Sequence, residues 1–135
     1  MTTSRKRSIG KSLLLAALFF ASGCSNAERT QGTLDNVQIA EKGTEAGGDF
    51  CRDFSMTPAQ VTAFFKRAQL VDAARLHDKF DYLPCYVRGT GMRDGEAATW
   101  EIRAGGTGKI TVKKTAATSL YGCAACDDLF GQIKK

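Results

Sequence analysis

The chain has 135 residues and a formal net charge of +5, a balance that would ordinarily bring nucleic acid or an anionic surface forward as a partner. Four of its nineteen basic residues, Arg5, Lys6, Arg7 and Lys11, fall in the first 23 positions, and none of the fourteen acids does, so the rest of the chain carries only +1. No nucleic-acid partner is expected, and the pairs Lys113-Lys114 and Lys134-Lys135 read as solvated ends.

The basic start leads into nine apolar residues, Leu13 to Ala21. A bilayer-spanning helix needs about 20, so the pattern reads as a signal peptide over 1–23. Ala21-Ser22-Gly23-Cys24 then resembles the lipobox of bacterial lipoproteins, although Ala21 stands where that family usually has Leu. The resemblance covers the leader and its cut site only. It implies that Cys24 is acylated, with palmitate among the attached chains, and becomes the first mature residue. Ser25, where retained family members often carry Asp, implies the outer membrane, with the protein facing the periplasm. Each buried methylene contributes about 0.8 kcal/mol, so several acyl chains on one cysteine anchor a protein firmly. Cleavage after Ala27 by an ordinary signal peptidase is the alternative, because Ser25 and Ala27 also supply small residues at the required spacing.

Residues 24–48 are expected to be the lipidated cysteine and a flexible tether, poor in aromatics and ending in Gly43-Thr44-Glu45-Ala46-Gly47-Gly48. Leu34, Val37 and Ile39 leave room in it for a short docked element. A small domain is expected over 49–135. Thr57, Pro58 and Gln60 form a capping-box start, and Val61, Phe64, Phe65, Ala68 and Val71 recur at helical spacing. Asp72 and Arg75 interrupt that stripe, which predicts a bend or a second short helix from about 73 to 79. After Pro84 the period becomes two, with Trp100, Ile102 and Ala104 set against Glu101 and Arg103. Turns at Arg93-Asp94-Gly95 and Gly105-Gly106-Thr107-Gly108 then join strands near 85–91, 97–104 and 108–114, and Leu120 and Tyr121 can add a fourth. The expected fold class is α+β: an N-terminal helix packed on a three- to four-stranded antiparallel meander, stapled by disulfides.

With Cys24 assigned to lipid, Cys51, Cys85, Cys123 and Cys126 remain, an even number that reads as two disulfides in an exported domain. Links from Cys51 and Cys85 into the Cys123 and Cys126 pair are favoured, since a long helix would separate the first two. Cys123-Ala124-Ala125-Cys126 also has dithiol redox spacing, but only nine residues follow it, too few for the helix and strands of a thioredoxin fold. His77 is the sole histidine and reads as a surface residue. No metal, cofactor or catalytic constellation is expected. Tyr82, Tyr86 and Tyr121 are the candidate binding residues, as aromatic side chains with a polar handle, while Trp100 reads as core.

The expected function is that of a non-catalytic binding or accessory module at the cell envelope, contacting an envelope protein or an incoming protein in an inhibitor-like role. The alternative is a periplasmic thiol-disulfide oxidoreductase using Cys123 and Cys126. Mass spectrometry of the protein purified from membranes tests the address. The expected mass is that of a chain beginning at acylated Cys24, and Cys24→Ser should release the protein from the membrane fraction.

Overall fold

The structure is a computed structural model that describes residues 33–45 and 49–130. The expected signal peptide, Cys24 and the first part of the expected tether lie outside those residues. Six strands, β1 (Leu34–Thr44), β2 (Gln69–Val71), β3 (Cys85–Arg93), β4 (Glu96–Arg103), β5 (Thr107–Val112) and β6 (Thr118–Gly122), form one antiparallel sheet in the order β1-β3-β4-β5-β6-β2. Two short helices, α1 (Pro58–Arg67) and α2 (Ala73–Lys79), accompany it.

The expected fold class is overturned. The domain is mostly a six-stranded antiparallel sheet with two short helices and two disulfides, not an N-terminal helix on a three- to four-stranded meander. The two added strands sit at opposite edges. β1 comes from the segment read as tether, where Leu34 is buried and Val37 packs against the core while most of the strand is exposed. β1 is also broken by two register shifts and by Asn36 in the left-handed region, which blunts the exposed edge. β2 is three residues long and returns the chain from α1 to the edge of β6.

The core lies on one face of the sheet, here called inner. Val87, Ala98, Trp100, Ile102, Ile110 and Tyr121 alternate inward and meet Val61, Phe64 and Phe65 of α1, all buried. Each such side chain contributes roughly 1.5–3 kcal/mol through burial. α1 starts as its capping box directs: Thr57 Oγ1 accepts from the Gln60 amide at 3.2 Å, and Gln60 Oε1 accepts from the Thr57 amide at 2.8 Å. Close approach requires glycine at two points. A Cβ on Gly108 would lie 2.6 Å from the Phe64 ring of α1, and one on Gly89 would run into the Gln38 carbonyl of β1 and lie 2.6 Å from the Trp100 indole of β4. The Phe65 ring meets Phe64 and Tyr121 edge-on at 5.1 and 5.3 Å between centroids. Arg93 donates to the Tyr121 hydroxyl, so the buried phenol is satisfied. Asp94 and Gly95, both at positive φ, form the two-residue turn between β3 and β4.

The disulfides pair as Cys51–Cys85 and Cys123–Cys126, not across the two groups as expected. The reason is β1. Thr44 pairs with Cys85, so Cys51, seven residues later, is carried back beside Cys85 with a Cα separation of 5.1 Å. Cys123 and Cys126 close their own turn at 5.7 Å, just after β6. In the chain-entropy description the loops differ greatly in length, with sequence separations of 34 and 3. Replacing Cys51 and Cys85 by Ser should therefore cost about 4 kcal/mol and replacing Cys123 and Cys126 about 2 kcal/mol, read by chemical denaturation of the two double variants.

Candidate functional site

Antiparallel pairing sets the other, outer face row by row. One row places Glu41, Arg88, Glu101 and Lys109 side by side on β1, β3, β4 and β5, and the next holds Tyr86, Arg103 and Thr107. Glu101 and Arg103 alternate along β4 with the inward Trp100 and Ile102. Outward charges on a sheet are normally hydrated, yet these two side chains are only 6 % and 8 % exposed. Tyr82, in the connection after α2, stacks on Arg103, and Tyr86 of β3 stacks on Arg88, with the guanidinium carbons 4.7 and 3.8 Å from the ring centroids.

Burial obliges the charges to answer one another. Glu101 accepts from Arg88 Nε at 2.5 Å and from Arg103 Nε at 2.9 Å, with Lys109 Nζ at 3.7 Å. Arg103 Nη2 reaches on to Glu45 at 2.5 Å, just beyond β1, and its Nη1 donates to the Leu83 carbonyl at 3.4 Å. Glu45 also accepts from the Tyr82 hydroxyl at 2.5 Å. The Arg103 guanidinium, followed by the Tyr82 hydroxyl, holds the Glu45 carboxyl down at about 2. The same hydrogen bond pushes the Tyr82 phenol above its ordinary value. Glu101 raises Arg88 in turn.

α2 flanks this network. Asp72 caps it by accepting from the Arg75 amide at 2.8 Å, and the Phe80 ring that follows lies on Gly122, where a Cβ would collide with it. Between α2 and the sheet is an open cleft of about 860 Å³. Ala73, Leu76, Phe80 and Leu120 form its apolar side, and Glu45, Tyr82, Glu101, Arg103 and Lys109 its polar side. Such a mixture suits a partner that brings an apolar group with a few fixed polar ones.

The candidate binding residues separate. Tyr82, 69 % exposed, and half-buried Tyr86 share the outer face. Tyr121 belongs to the inner core and contributes nothing to that surface, because its parity on β6 is opposite. Trp100 is core, and His77 is exposed on α2 beside Asp78 at 3.3 Å. Cys51, Cys85, Cys123 and Cys126 are buried in disulfides, and Cys24 lies outside the described residues. Among the described residues no three His, Cys, Asp or Glu side chains are grouped to hold a metal ion. Glu45, Arg88, Glu101, Arg103 and Lys109 were not singled out as site residues by sequence. Their signal is the alternation of Glu101 and Arg103 with Trp100 and Ile102, which places charges outward but not under cover. Comparison with protein-family models, curated proteins and solved structures finds no match, so the functional reading rests on these side chains.

A depressed carboxyl stabilises the folded state fully above its ordinary value of 4.5, and this contribution is lost as pH falls toward about 2. Glu45→Gln should therefore flatten the acid limb of a plot of Tm against pH between those values and leave its shape above pH 5 unchanged. Thermal melts of both proteins across the range check this.

Proposed function

We propose that this protein is a lipid-anchored, non-catalytic binding module of the cell envelope, facing the periplasm from the outer membrane, and that it engages a protein partner through the cleft beside α2. One observation carries the choice of surface. Tyr82 is 69 % exposed, yet it is held from both sides by a hydrogen bond to Glu45 and by stacking on buried Arg103. A large side chain already fixed in its exposed orientation loses little rotamer freedom on binding, and aromatic residues at the mouth of a cleft are frequent anchors. The lipobox resemblance at Cys24 supports the address.

A dithiol oxidoreductase is the second reading, favoured by the Cys123–Cys126 disulfide and by Arg67, Arg75 and Lys79 around the adjoining groove. Cations nearby would stabilise a thiolate. Exchange also needs access for an attacking thiolate, and both cysteines are buried, which supports a staple instead. Thiol counting after mild reduction distinguishes the two, since an oxidoreductase should give up this pair readily.

The binding reading is tested by placing a photo-crosslinking side chain at position 77, exposed at the cleft, in intact cells, with position 114 at the opposite end of the sheet as reference. A discrete protein adduct from 77, absent from 114 and weakened by Tyr82→Ala, is expected. Adducts of equal yield and pattern from both positions would remove the basis for the cleft as the contact site. With the partner in hand, Tyr82→Ala should weaken binding by about 2 kcal/mol, roughly thirtyfold in Kd.

A further inference from the structure

The two faces of α2 border different depressions. Ala73, Leu76, His77 and Phe80, at spacings of three and four, line the cleft described above, whereas Arg75 and Lys79 point to the opposite side of the same helix. There a second groove of about 410 Å³ runs between α2, the edge strand β2 and the turn after β6. Arg67, Arg75 and Lys79 supply three positive charges to it, and no acidic side chain among the described residues lines it. Val71, Phe80 and Gly122 give it an apolar floor.

The charges are not all committed. Arg67 is held at the groove's margin by Asp128, with both carboxylate oxygens accepting at 2.8 and 2.9 Å. Arg75 and Lys79 have no carboxylate within 4.0 Å among the described residues, and the Asp72 side chain is engaged by the Arg75 backbone amide. Arg75 and Lys79 stand four apart on this seven-residue helix, so their charges fall on one side of it.

From this we infer that the groove binds an organic phosphate. The Arg75 guanidinium fork and the Lys79 ammonium match a multiply charged oxyanion, and a space of this size with an apolar floor exceeds a bare ion and receives the body that carries it. The phosphate belongs either to a lipid headgroup or to a soluble ester, and the chemistry at the cations is the same. The site is independent of the protein-binding role of the neighbouring cleft.

The test uses the mature chain bearing Cys24→Ser, so that no acyl chain contributes to vesicle binding. The probes are soluble glycerol 3-phosphate, phosphatidylglycerol vesicles and phosphatidylcholine vesicles. Arg75→Glu with Lys79→Glu reverses the groove charges. Lys113→Glu with Lys114→Glu makes the same change in net charge at the far end of the sheet. Arg75→Gln with Lys79→Gln reads the same site if the reversal impairs folding, which is followed by Tm. A groove site predicts at least about a tenfold loss in the first variant and little change in the second. Selective binding of glycerol 3-phosphate assigns a soluble ester. Binding of phosphatidylglycerol over phosphatidylcholine vesicles without affinity for the free ester assigns a headgroup. Equal losses in both variants, or no binding to any probe, overturn the inference.

Discussion

A carboxylate buried on the outer side of a sheet has to be answered by cations, and Glu101 is answered by two hydrogen-bonded arginines with Lys109 a little farther off. Arg88 reaches it from β3 and Arg103 from two residues along β4, and Arg103 continues to Glu45 and to the Leu83 carbonyl. One charge in the middle of the sheet thus ties the end of β1 and the connection after α2 to the central strands. Removing either arginine would leave this buried carboxylate with one fewer hydrogen-bonding cation, which weakens the tie between these segments. The orientation of Tyr82 follows from the same network.

The sheet serves two purposes because its faces are treated differently. On the inner side, α1 presses Phe64 and Phe65 against a strand made smooth by Gly108, and Trp100 lies over Gly89 while its indole donates to the Thr90 carbonyl at 2.9 Å. On the outer side α2 buries none of its residues and leaves space on both flanks. β2 is where the chain passes from one side to the other. It is only three residues long, but it decides that the second helix borders the charged face and does not join the core.

Local structure was largely written in the residues. Thr57, Pro58 and Gln60 announce the start of α1, Asp72 caps α2, and Asp94-Gly95 makes the first hairpin, each through backbone chemistry that acts within a few positions. The width of the sheet was not legible. β1 borders solvent along one edge and exposes most of its side chains, so it lacks the alternation that marks a half-buried strand, and β2 is too short to show a period. Missing β1 also hid the Cys51–Cys85 link, which depends on Thr44 lying beside Cys85. At the site, the alternation around Trp100 places Glu101 and Arg103 outward, but Tyr82 stacking on Arg103 and Arg88 reaching Glu101 join segments distant in sequence, a tertiary event with no local signature.

The direction of β1 gives the molecule two unlike poles. The chain enters at Leu34, paired with Arg93 at the β3–β4 hairpin, and both disulfides and the cleft stand at the other end. β4 alone spans roughly 25 Å between those poles. On the lipoprotein reading, the ten steps from Cys24 to Leu34 allow at most about 35 Å of slack. On that reading a leash comparable in length to the body it holds would limit how far Tyr82 can stand from the bilayer without fixing which way the body turns. Tether and strands together would then set an outer bound of about six nanometres, within which a partner would have to present its surface to the cleft.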